Sequence, residues 1–113
     1  INEIKDQANK YGVLITLIST KVFDEPAHLI SFTGRGLCLS FNFVRNDKFI
    51  TFYNEISKIM ISYNTKPNLI KDSALDNQLV QAGYSQFNEF KSSLQKYDPK
   101  RIFRSELSER IGL

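Results

Sequence analysis

Cysteine, histidine and methionine each occur once in this 113-residue chain, as Cys38, His28 and Met60. One cysteine excludes an internal disulfide and a cysteine-built zinc site. One histidine excludes a histidine metal cluster, so no metal centre is expected. A strong charge bias is missing too. The 15 Lys and Arg against 12 Asp and Glu leave a net +3, too little to argue for nucleic acid. Long hydrophobic runs are absent. The stretch Val13 to Ile18 is far short of the ~20 residues of a membrane helix, so no transmembrane segment is expected. No signal-peptide pattern opens the chain, and there is no internal repeat or low-complexity tract.

What remains is an ordinary globular composition, 42% hydrophobic and 24% charged, sized for one domain. The first residue is Ile1, so the chain is expected to be the end of a longer polypeptide or a processed product. A reducing cytoplasm is the simpler compartment for a lone thiol. The basic residues are spread out, with one cluster at Lys100, Arg101 and Arg104. That cluster reads as a solvated face near a chain end, with an anion site as the alternative.

Ile1, Ile4, Ala8 and Tyr11 recur at helical spacing, with Gly12 as a stop. Val13 to Val22 is rich in β-branched residues and predicts a buried strand. After Asp24-Glu25-Pro26, Leu29 to Thr33 predicts a second strand. Gly34-Arg35-Gly36 then turns it into a third, Leu37 to Val44, as a hairpin. In that third strand Leu37, Leu39, Phe41 and Phe43 point one way, and Cys38, Ser40, Asn42 and Val44 the other.

Asn46 or Asp47 can cap the next helix. Its stripe Phe49, Phe52, Tyr53, Ile56, Ile59, Met60 and Tyr63 is core at period 3.6. Asn68 to Lys71 reads as a short extended piece. Asp72 or Ser73 could cap a helix carrying Leu75, Leu79 and Val80, which Gly83 interrupts. Phe87, Phe90 and Leu94 mark a helix that stops at Asp98-Pro99. Ser105 caps a last turn or two, closed by Gly112.

The predicted class is α+β: an antiparallel sheet with helices packed on one face. Its core order suits a ferredoxin-like half lacking an upstream strand, whose open edge would need covering.

Few residues carry a chemical signal of their own. Cys38, Ser40 and Asn42 would look out from the face opposite the helices, a small polar floor suited to a ligand, a domain contact or plain partial exposure. Lys71, leaving the short strand, could be a fixed cation beside an electron-rich centre, or a solvated partner of Asp72. Lys21 closes the first strand on the face of Leu17 and Ser19. His28 reads as polar loop surface. No Ser-His-Asp set, carboxylate pair or phosphate loop assembles. Gly34-Arg35-Gly36 is too short for a dinucleotide fingerprint and opens no helix.

Several segments then fall into one order: Ile18-Ser19-Thr20-Lys21, Ile30-Ser31-Phe32, Gly36-Leu37-Cys38-Leu39-Ser40-Phe41, and Asn68-Leu69-Ile70-Lys71-Asp72-Ser73. They run through Tyr84, Phe87, Phe90 and Lys91 into Tyr97-Asp98-Pro99-Lys100-Arg101-Ile102-Phe103 and the closing residues to Leu113. This succession resembles the C-terminal half of FAD-linked oxidases of the vanillyl-alcohol-oxidase superfamily. The nearest branch is that of decaprenylphosphoryl-ribose oxidase and the sugar-lactone oxidases, and the likeness covers nearly the whole chain.

The resemblance implies that residues 1–113 are the C-terminal part of a substrate-binding cap. FAD would be held mainly by a separate N-terminal domain of the same polypeptide, absent here, and not by this chain alone. Lys71 matches the family's active-site lysine, beside both flavin and substrate. Lys21 and Cys38 match pocket residues. Ser40, also a candidate pocket residue, stands where relatives carry an acidic side chain. Asn42 replaces a frequent proline, and Asn68 a common aromatic. These departures bear on the substrate, a small or lipid-linked sugar, more than on the fold. The parent would oxidise a sugar alcohol or lactone by hydride transfer to FAD, in the cytoplasm or at the periphery of a membrane. The isolated chain would be inactive, since the redox chemistry is the cofactor's.

Two other readings stand beside this one. A non-catalytic ferredoxin-like module could bind RNA or a small regulatory ligand on its open sheet face, although that face lacks stacking aromatics. A dimerising structural domain is the other.

Overall fold

The computed structural model describes residues 1–24, 29–71 and 74–113. Helix α1 (Asn2–Tyr11) ends on Gly12, at φ 64°, whose N–H returns to the Ala8 and Asn9 carbonyls. Glycine tolerates this left-handed turn where other residues strain. Val13 N–H then also bonds the Ala8 carbonyl, at 2.8 Å, and swings the chain into strand β1 (Leu14–Asp24). Strand β2 (Arg35–Val44) pairs antiparallel with β1 along its whole length.

Four helices complete the described residues: α2 (Phe49–Ser62), α3 (Asn77–Gly83), α4 (Phe87–Tyr97) and α5 (Glu106–Arg110). The fold is α+β, with an antiparallel sheet and, among the described residues, five helices. The sheet holds two strands among the described residues.

The α2 stripe builds the first core. Phe49, Phe52, Tyr53 and Ile56 are buried with Ala8 and Val13, and Ile4, Tyr11, Ile15 and Phe43 pack around them. Phe43 reaches from the sheet to meet Phe52 edge-on at 5.0 Å, and Phe41 stacks parallel on Phe43 at 5.9 Å. Such ring pairs add to burial about 0.5–1.5 kcal/mol each. Leu37 and Leu39 share that face but lie exposed. A bulge between Ile15 and Leu17 keeps both Ile15 and Ile18 on the helix side.

A second core gathers Leu75, Leu79, Val80, Tyr84, Phe87 and Ile111, with Ile30, Phe32, Ile61 and Leu69 against it. Met60 packs on both cores.

Several expectations change. Leu29 to Thr33 is a turn and bend, not a strand, and β2 pairs directly with β1. The Ser31 hydroxyl accepts from Thr33 N–H at 3.2 Å and pairs with the Thr33 hydroxyl at 2.6 Å, a local bond that competes with a ladder. Arg35 and Gly36 therefore sit inside β2 rather than in a tight turn. Asn68 to Lys71 is likewise a turn: the Asn68 side-chain oxygen accepts from Ile70 N–H at 3.1 Å. With both predicted strands gone, the order is α-β-β-α-α-α-α, and the ferredoxin-like arrangement of strands is not seen among the described residues.

The caps differ as well. Lys48 takes the N-cap position of α2 without a side-chain bond. Asn46 instead accepts from Lys48 N–H and donates to the Tyr11 and Gly12 carbonyls, tying the start of α2 to the end of α1. Helix α3 is capped by Asp76, which accepts from Leu79 N–H at 2.8 Å. The caps expected at Asp72 or Ser73 lie outside the described residues, as does His28. The end of the chain follows expectation: Ser105 and Ser108 form a reciprocal capping box, and Gly112 has φ 81°.

Candidate functional site

The register of the two strands decides where the candidate residues fall. Lys21 stands opposite Cys38, and Ser19 opposite Ser40. Directly opposed residues in an antiparallel pair share a face, with Cβ atoms about 5 Å apart. Lys21, Cys38 and Ser40 therefore meet on one face, together with Ser19 and Asn42. The helices pack on the other face. Cys38 is half-buried and Ser40 exposed.

The Lys21 ammonium lies over the Phe23 ring, 4.8 Å from its centre. An aromatic face attracts a cation through its quadrupole, so this lysine is held at the end of the sheet. Phe23 in turn meets Phe32 edge-on, with ring centres 5.7 Å apart and planes at 86°.

Phe32 also lines an open, largely apolar cavity of about 500 Å³. It is lined by Ile30, Leu69 and Ile70 and by Leu107, Ile111 and Leu113 of the closing segment. The hydroxyls on its wall are already engaged. Ser105 and Ser108 bond each other, and Ser31 bonds Thr33. Lys91 donates to the Gly112 carbonyl at 2.6 Å, and Arg101 donates to the Leu113 carbonyl, which holds the closing segment in place as a wall.

Lys71 directly follows Ile70 of that wall and is exposed, in a turn rather than at a strand end. It does not share the sheet face of Lys21 and Cys38. Neither group lines the cavity: the sheet group is linked to it only through the contact of Phe23 with Phe32, and Lys71 only as the residue after Ile70. The cavity residues were missed because Phe32 and Ile70 were read as strand residues.

The resemblance implies FAD, and the donor set fits only part of it. Cations and small polar groups suit a flavin ring or a sugar. A pyrophosphate needs a glycine-rich turn opening a helix. Gly34 and Gly36 precede and enter a strand instead, so no such cradle exists among the described residues. Nor does any group of three potential metal-ligating His, Cys, Asp or Glu. No described helix is long and apolar enough to cross a membrane.

No curated protein sequence gives a significant match to this chain. The family of D-arabinono-1,4-lactone oxidase matches residues 36–111, about two thirds of the chain. The match takes in Cys38, Ser40, Lys71 and the closing wall of the cavity as far as Ile111. The chain belongs to the D-arabinono-1,4-lactone oxidase family, an oxidoreductase domain of the sugar-lactone oxidase type.

Proposed function

We propose that this chain is the C-terminal part of the substrate-binding cap of an FAD-dependent sugar oxidase. The parent belongs to the vanillyl-alcohol-oxidase superfamily, near the decaprenylphosphoryl-ribose oxidase branch, and acts on a sugar alcohol, a sugar lactone or a lipid-linked sugar. The flavin is held by an N-terminal domain of the same polypeptide. When bound, FAD supplies the two-electron acceptor for a hydride from the sugar carbon. The remaining work falls to the chain's own residues. Lys71 holds positive charge beside the reacting pair, where negative charge develops. Lys21, Cys38 and Ser40 shape the polar floor that receives the sugar, and the apolar cavity between Phe32 and Ile111 excludes water from one side of it. The parent works in the cytoplasm or at the periphery of a membrane.

The observation that carries this reading is the family match over residues 36–111, which includes Lys71 and Cys38. The opposition of Lys21 to Cys38 supports it from geometry. The non-catalytic RNA-binding reading is not favoured. The one aromatic on that sheet face, Phe23, is covered by Phe32 and Lys21 rather than free to stack on a base.

The test is Lys71→Ala in the flavin-loaded oxidase. The variant is expected to keep its yellow flavin and lose turnover on the order of a hundredfold, the scale of removing one preorganised charge-stabilising donor. Undiminished turnover would remove Lys71 from the mechanism. Loss of the flavin itself would make it a binding residue only.

A further inference from the structure

The segment between α4 and α5 spends a buried carboxylate on holding large apolar side chains in water. Asp98 is buried, and its two oxygens accept from Ile102 N–H at 2.9 Å and Phe103 N–H at 2.8 Å. Arg101, just before them, takes a positive φ of 52°, and its guanidinium is engaged with the Leu113 carbonyl. With the backbone pinned at both places, Ile102 and Phe103 cannot fold back onto the domain. They stand 72% and 81% exposed, with Tyr97 at 83% just upstream. Single exposed apolar residues need no explanation, but three in seven positions, rigidly presented, mark a contact surface.

Within residues 96–104 the exposed charge has one sign. Lys96, Lys100 and Arg104 are exposed, and the only acid from 96 to 104 is the buried Asp98. Aromatic and aliphatic tips ringed by cations match the headgroup layer of a bilayer. There the rings and aliphatic chains enter the acyl boundary, and the ammonium and guanidinium groups stay with lipid phosphates. Glu106 and Glu109 begin the next helix, beyond this segment.

We propose that the Tyr97–Arg104 knuckle is a membrane-interface anchor, seated on an anionic lipid surface through Ile102 and Phe103 and steered by Lys96, Lys100 and Arg104. This deepens the peripheral-membrane part of the reading above. It is independent of the oxidase chemistry, because vesicle binding is read without turnover.

The experiment is co-sedimentation of the flavin-loaded oxidase with vesicles of phosphatidylcholine alone and of phosphatidylcholine mixed with phosphatidylserine. Binding is expected on the mixed vesicles only, and is expected to fall as salt rises. The pair Ile102→Ser with Phe103→Ser, and separately Lys100→Glu with Arg104→Glu, should each weaken binding on the order of tenfold or more. The backbone bonds to Asp98 survive these changes, so the far-ultraviolet circular dichroism and melting should stay as in the parent chain. No binding to the mixed vesicles overturns the proposal, and so does binding that neither variant weakens. A concentration-dependent mass without lipid, abolished by Phe103→Ser, would assign the knuckle to a protein contact and also overturn it. An inactive Lys71→Ala oxidase, or an active one, leaves this result untouched.

Discussion

At the scale of single residues, the most crowded glycine is Gly83. A Cβ there would lie 2.7 Å from the Thr65 carbonyl oxygen and 2.8 Å from Pro67 Cδ. Alanine normally gains about 1 kcal/mol over glycine in a helix. Here that gain is outweighed, because a backbone oxygen and a proline ring cannot move aside cheaply. Gly83→Ala is expected to lose about 1–2 kcal/mol net, read as a lower urea midpoint. A midpoint at or above that of the parent chain would mean the 65–67 turn yields without cost. The sequence showed Gly83 only as an interruption, since the chain that crowds it, residues 65–67, lies well before it in the sequence and arrives by folding. Lys21 and Cys38 make the same point. Each was visible as a strand residue, but their opposition depends on a bulge at Thr16, whose hydroxyl donates to the Asn42 carbonyl at 3.3 Å.

At the scale of elements, α3 and its C-terminal neighbour Tyr84 carry a pH dependence. The Tyr84 hydroxyl donates to the Pro67 carbonyl at 2.5 Å, and burial pushes its pKa from 10.0 up to about 12. The fold thus favours the neutral phenol. The stabilisation is full below pH 10, the unfolded value, and is lost as pH climbs through the folded value near 12. Unfolding midpoints across that window should therefore fall more steeply in the parent chain than in Tyr84→Phe. The variant itself should start about 1 kcal/mol lower at neutral pH, having lost the hydrogen bond and left the Pro67 carbonyl unpaired. Equal slopes would show that Tyr84 ionises freely. Helix boundaries of this kind were well marked in the sequence: Gly12, the Asp98-Pro99 stop and the Ser105 cap all stand where local chemistry put them. The two lost strands show the converse. Leu29 to Thr33 and Asn68 to Lys71 are apolar because Ile30, Phe32 and Leu69 serve the second core, and a short buried loop has the same pattern as a short buried strand.

At the scale of the molecule, the chain is looser than its length requires. Its radius of gyration is 15.3 Å, against about 13 Å for a compact domain of this size. The β1–β2 ribbon accounts for part of this, with Val22 and Leu37 exposed at its far end. A two-stranded ribbon is marginal by itself, so stability rests on the two helical cores and on what joins them. Met60, half-buried, is the residue that packs on both. Met60→Ala should cost about 1–3 kcal/mol. It should also separate the unfolding transitions seen by far-ultraviolet circular dichroism and by tyrosine fluorescence. Coincident transitions in the variant would show that the cores are coupled by other contacts.

The sequence by itself determined the α+β class, the extent of α1, α2 and α4, the alternation of β2 and the family resemblance, because each is written in local periodicity, caps and the order of residues. Tertiary structure alone decided that β1 pairs with β2, that Lys21 opposes Cys38, and that Phe32, Ile70 and Ile111 line one open cavity. Those contacts join residues far apart in the chain. They are selected by which apolar surfaces bury one another, a competition that no single window of sequence records.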